Sequence, residues 1–113
     1  MVKRGPEAQL LASVLDALGY VRGVHVLRLN AGLTIVGQGA SRRAIRGCEP
    51  GTPDLCAMLE GGRVVWLELK APKGRLSPSQ LAWHARATAM GHTVVVARDV
   101  QAAVDAVRLA LRA

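Results

Sequence analysis

The chain contains no phenylalanine, aromatic residues make up 3% of its 113 positions, and it has two cysteines. So few rings argue against a platform that stacks successive unpaired bases. Cys48 and Cys56 match no zinc-ligand spacing and are too few for a disulfide framework, so both are expected as reduced, structural thiols. No apolar run approaches membrane-spanning length. At the start, Lys3 and Arg4 lead at once into Gly5, Pro6 and a segment interrupted by polar residues, unlike a secretory leader. These absences predict a cytoplasmic protein in a reducing compartment, with no membrane partner.

Acidic residues are also scarce. Eight Asp and Glu face 15 Lys and Arg, 12 of them arginine, for a formal net charge of +7. The planar guanidinium fork suits phosphate, so a polyanionic partner is the simplest reading, with solubility alone as the alternative. What the chain has in quantity is Ala, Val and Leu. Half its residues are hydrophobic, enough for one domain over 1–113 with a single core.

Pro6 at a first helical position, Glu7 in the first turn, the Leu10, Leu11, Val14, Leu15 and Leu18 spacing and Gly19 as a stop predict an amphipathic helix. Val24 to Leu29 reads as a strand, followed by a long Gly- and Arg-rich connection from Ala31 to Pro53, with Leu33 to Val36 as a short strand inside it. Asp54 to Leu59 and Arg63 to Lys70 flank Glu60, Gly61 and Gly62, a hairpin signature. Ser77 as N-cap, Pro78 as first residue and Gln80 as capping-box partner open a second helix, in which Leu81, His84, Ala85 and Thr88 recur at helical spacing. His92 to Ala97 reads as a buried strand. Asp99 caps a last helix through Ala102, Ala103, Val104, Val107, Leu109 and Leu111. Helices flanking strands in this order predict an α/β sandwich around a mixed sheet of four or five strands.

Alternation along Val64 to Lys70 puts Glu68 and Lys70 on one face and Val65, Leu67 and Leu69 on the other. An acid and an amine on an apolar interior strand cost desolvation energy unless something ionic meets them. Hairpin pairing brings Asp54 opposite Glu68, so two carboxylates and a lysine converge. A hard divalent cation such as Mg²⁺ or Mn²⁺ relieves the carboxylate repulsion while leaving room for water and phosphate. Lys70 could then act as a base, or stay charged and orient a nucleophile. Taken alone, Glu68 and Lys70 read more readily as an ion pair on an exposed edge strand. Arg42, Arg43 and Arg46 precede the Pro53–Asp54 turn and Lys73 and Arg75 follow the strand, so both groups could hold phosphates beside it. His25, His84 and His92 show no metal-ligand spacing and read as structural.

Gly51, Thr52, Pro53, Asp54 and Leu55, then Leu67, Glu68, Leu69 and Lys70, then Lys73 to Ser77 with Gln80, form a pattern. It resembles the virus-type replication-repair nuclease (VRR-NUC) family of the PD-(D/E)xK superfamily over nearly the whole chain. Arg28, Leu29, Asn30 and the stretch Gly47 to Gly51 match it more loosely. The resemblance implies a restriction-endonuclease-like αβββαβ core, with a mixed central sheet flanked by helices. It also implies an active site of Asp54, Glu68 and Lys70 joined by Glu7 and Gln80, with Asp54, Glu68 and the Leu69 backbone carbonyl as ligands of Mg²⁺ or Mn²⁺. Helix-dipole and capping roles already account for Glu7 and Gln80 without catalysis. The implied activity is endonucleolytic hydrolysis of DNA, branched DNA such as four-way junctions above all, by a phage-encoded or bacterial C2 homodimer with no small organic cofactor. A catalytically inactive basic binding module of the same fold would be expected to have lost a member of the triad, and all three are present. A sequence-specific restriction-type enzyme would need recognition elements for which so short a chain has little room.

Overall fold

The apolar spacing of the first segment produces α1 (Pro6–Leu18), which buries Val14 and Leu18. The computed structural model describes residues 5–31 and 33–113, and for Leu33 and Thr34 the backbone alone. Lys3, Arg4 and Gly32 lie outside the described residues. After α1 come β1 (Val24–Arg28), β2 (Leu33–Val36), a 3₁₀ turn (Gly39–Ser41), β3 (Arg43–Arg46), β4 (Leu55–Leu59), β5 (Val64–Leu69), α2 (Pro78–Ala89), β6 (Thr93–Ala97) and α3 (Val100–Arg112). Omitting the β2–β3 pair, this is the expected αβββαβ core, followed by α3.

Four strands form one sheet in the order β1-β4-β5-β6. β1 and β4 are antiparallel, β4 and β5 form the expected hairpin, and β6 joins β5 in parallel. Gly61 and Gly62 turn the hairpin at φ 93° and 88°, a region a side chain rarely adopts. One face of the sheet carries Leu55, Ala57, Leu59, Val65, Leu67 and Leu69 into a core closed by Val14 and Leu18 of α1 and by Ala103, Val104 and Val107 of α3. The opposite face of β5 presents Trp66 and Glu68 to α2, where Trp66 meets Trp83 edge-on at 5.2 Å. β6 lies at the sheet edge, so it is half-buried along most of its length and not the buried strand expected.

Three local expectations change. The long connection contains a second, two-stranded sheet in which Val36 pairs with Arg43 and Ile35 with Ala44. Arg43 and Arg46 therefore lie on a strand, and Arg42 follows the turn. In α2, Leu81 is 55% exposed, and Ala85 and Thr88 also face solvent, whereas Gln80, Trp83, His84 and Ala87 turn inward. The sheet beneath that helix offers an indole and a carboxyl, so polar and ring-edge contacts set its rotation in place of aliphatic packing. Leu109 of α3, assigned to the apolar stripe, is 67% exposed.

Candidate active site

The ends of β1 and β5 and the start of β4 meet at one end of the sheet. There the Leu29 amide donates to the Asp54 carbonyl at 2.8 Å, and the Lys70 amide donates to the Ala97 carbonyl at 3.1 Å, just past the ladders. Pro53 is buried before Asp54, and Gly51 stands two residues further back at φ 92°. A Cβ on Gly51 would land on the Ser79 carbonyl, so the Pro–Asp turn and the first turn of α2 approach each other as backbone.

Continuing the β4–β5 register by one pair past Leu55–Leu67 sets Asp54 across from Glu68, as the hairpin reading expected. Asp54 Oδ2 accepts the Leu69 amide at 2.7 Å, which fixes that carboxylate at the strand end. Glu68 is 1% exposed and Lys70 9%, and they are the buried charged residues of the described structure. Burial pushes the Glu68 carboxyl from its usual 4.5 up to about 8. The hydrogen bond that protonated Glu68 gives Asp54, and repulsion from Asp54 and Glu7, contribute to that rise, while the Lys70 ammonium works against it. Two acids thus compete for a neutralising positive charge at this point.

Glu7 reaches the site from the first turn of α1. Its Oε1 stands 4.0 Å from Lys70 Nζ, and it lines a cleft of about 150 Å³ with Ala8, Leu11, Asp54 and Leu69. The Gln80 side chain makes two hydrogen bonds here. It closes the capping box, accepting the Ser77 amide at 2.8 Å, and its Nε2 donates to Glu68 Oε2 at 3.4 Å. The five residues Glu7, Asp54, Glu68, Lys70 and Gln80 come together.

Two contributors escaped the sequence reading. His84, taken there as structural, has Nε2 3.1 Å from Glu68 Oε1, and burial and the Lys70 ammonium hold its pKa below the usual histidine range. The available signal was its spacing of four from Gln80, which stacks both on one helix face. Arg98, just past β6, donates from one Nη1 to the carbonyls of Ala71 at 2.9 Å, Pro72 at 3.3 Å and Gly74 at 2.7 Å. It thereby shapes the turn that displays Lys73 and Arg75, both exposed. Cys48 and Cys56 are free thiols, and burial raises that of Cys56.

Arg42, Arg43 and Arg46 are exposed along the β2–β3 ribbon. The ribbon is rooted beside Asp54, because the Cys48 amide bonds to the Asn30 carbonyl at 2.6 Å and Ala31 bridges Cys48. Basic groups therefore stand on the connections that leave and enter the strands bearing the acids.

Among the described residues no three His, Cys, Asp or Glu side chains converge to hold a metal ion. Asp54 and Glu68 offer an all-oxygen pair with a charge deficit, which suits a hard cation that retains several waters and not a tight protein cage. No helix among the described residues is long and apolar enough to cross a membrane.

Residues 28–101 match the family model of the VRR-NUC domain. A curated relative, "Putative nuclease p44" of Acyrthosiphon pisum secondary endosymbiont phage 1, is 44% identical over 46 residues, which cover 41% of this chain and 50% of the relative. The match thus spans about half the length of that relative. A solved structure titled "VRR_NUC domain" superposes with a TM-score of 0.61 at 19% identity, covering 93% of this chain and 97% of the other, and so shares the fold. With the family model spanning the strands and turns that carry Asp54, Glu68, Lys70 and Gln80, the chain belongs to the VRR-NUC domain family.

Proposed function

We propose that this protein is a divalent-metal-dependent deoxyribonuclease that hydrolyses phosphodiester bonds. The observation that carries the reading is the pairing of Asp54 with buried Glu68 beside Lys70 at one end of the sheet, in a chain of net charge +7. Asp54, Glu68 and the Leu69 carbonyl would hold Mg²⁺ or Mn²⁺. When bound, such a cation supplies a Lewis acid for the scissile phosphate and makes water more acidic. Lys70 orients the attacking water and stabilises charge on the phosphate, Glu7 steadies the ammonium of Lys70, and Gln80 holds Glu68. Arg42, Arg43 and Arg46 on one side and Lys73 and Arg75 on the other grip the flanking backbone.

The substrate proposed is branched DNA, four-way junctions foremost, cut during replication, recombination or repair. Two symmetric strands call for two active sites, so the working form proposed is a C2 homodimer. The test is incubation with Mg²⁺ or Mn²⁺ and a panel of linear, flap and four-way-junction DNAs, with Glu68→Ala as control and sedimentation to read the mass. Junction cleavage by the wild type alone is expected. Equal cleavage by both proteins removes the assignment, and a monomer mass at micromolar concentration with DNA present removes the dimer.

A further inference from the structure

Glu68 has no room to turn, and both of its oxygens are held from one helix. His84 Nε2 lies 3.1 Å from Oε1 and Gln80 Nε2 3.4 Å from Oε2. The two groups are four residues apart on α2 and so project side by side. Each is fixed in turn. Gln80 Oε1 accepts the Ser77 amide, and the Gln80 amide donates to Ser77 Oγ at 3.2 Å. The His84 ring meets Trp83 edge-on at 6.3 Å, and Trp83 meets Trp66, two residues before Glu68 on β5, at 5.2 Å. The loop of contacts from Glu68 through His84, Trp83 and Trp66 closes on the strand where it began.

Building on the nuclease reading above, we propose that His84 is a positioning residue of the active site, forming with Gln80 a two-point clamp on the Glu68 carboxylate. A glutamate side chain turns about three bonds, and two donors on separate oxygens stop that rotation where one would leave the carboxylate free to pivot. The clamp keeps Glu68 facing Asp54 before any cation arrives. A proton on Nε2 lets the ring donate to Oε1 at 3.1 Å while Gln80 donates to Oε2, so the clamp requires the Nε2–H tautomer. A histidine there only for packing would need neither its proton nor its reach.

Two measurements test this. In metal-free protein at about pH 9, nitrogen-resolved NMR should find His84 as the Nε2–H tautomer. Its proton should exchange more slowly than those of the exposed His25 and His92, and Glu68→Ala should abolish that protection. The Nδ1–H tautomer, or exchange as fast as at His25, overturns the clamp. In calorimetric Mn²⁺ titrations, His84→Ala should lose roughly 10-fold to 100-fold in affinity, the range for partners that orient a ligand. Half-maximal cleavage should need correspondingly more Mn²⁺, with DNA affinity in chelator unchanged. His84→Gln, which keeps a donor near the Nε2 position, should recover most of the loss. Unchanged Mn²⁺ affinity in His84→Ala, or equal loss in both variants, rejects the proposal. A wild type that ignores Mn²⁺ yet shows the protected Nε2–H sinks the nuclease reading and upholds the clamp.

Discussion

The acidic end of the sheet and the arginine ribbon differ in charge, burial and manner of construction. Glu68 is 1% exposed and held by Asp54, Gln80 and His84, whereas all four residues of β3 face solvent. Burial makes the acidic corner costly to assemble and sensitive to small displacements, because unpaired charge is penalised strongly away from water. The ribbon escapes that penalty, and its charge acts through the solvent, where salt screens it. On the function proposed, the chemistry would fall to the buried corner that the core holds, and capture of a long polyanion to the exposed ribbon.

That division is tested most severely at Lys70. Lys70→Ala should slow single-turnover cleavage on the order of 100-fold or more, while Mn²⁺ affinity holds or rises because a neighbouring positive charge has gone. Asp54→Ala and Glu68→Ala should instead lose both affinity and rate. Calorimetry beside rapid-mix cleavage separates the two classes, and wild-type cleavage by Lys70→Ala would remove the lysine from the mechanism. Next in size is a change outside the chemical groups. Gly51→Ala places a methyl on the Ser79 carbonyl at a φ of 92°, and should cost on the order of 2 kcal/mol or more in urea unfolding. Unaltered stability would show that the Pro–Asp turn and α2 are not tied together at that point.

The ribbon should answer in the opposite way. Replacing Arg42, Arg43 and Arg46 together by alanine should leave stability within roughly 0.5 kcal/mol of wild type, as surface changes do. The slope of log affinity against log salt should become shallower by about 0.9 for each phosphate that the ribbon ceases to neutralise. A triple variant with an unchanged slope places the ribbon away from DNA. The smallest effect expected is a pH dependence of the metal-free protein. Glu68 titrates near 8 when folded and near 4.5 when unfolded, so between those values the folded state holds the extra proton. Its stabilising effect is complete below the unfolded value and lost as pH rises through the folded one. His84, shifted down, weakens the fold only on the acid side of its ordinary 6.5. Melting temperature in chelator should therefore drop by a few degrees from about pH 6.5 to 8 in the wild type, but stay level in Glu68→Gln. A level wild-type curve would mean that Glu68 is less confined than its burial implies.

Much of this arrangement was legible in the sequence, because it depends on neighbours within a turn or on strand alternation. Period-two spacing put Glu68, which meets α2, on the face opposite Leu67 and Leu69 of the core, and Ser77, Pro78 and Gln80 wrote out a capping box that the helix adopts. The hairpin glycines fixed which end of β4 meets which end of β5, and so brought Asp54 to Glu68. Tertiary structure alone decided the rest. The segment Arg43 to Arg46 shows no strand pattern by itself and becomes one through pairing with β2. The face that α2 turns inward, and hence the bond between His84 and Glu68 across 16 residues, follows from what the sheet presents beneath the helix. The approach of Glu7 to Lys70 likewise needs α1 packed against β5. Hydrogen bonds between residues up to four apart require only local chain geometry, whereas these longer-range approaches exist only after distant segments have been brought together and their loops closed.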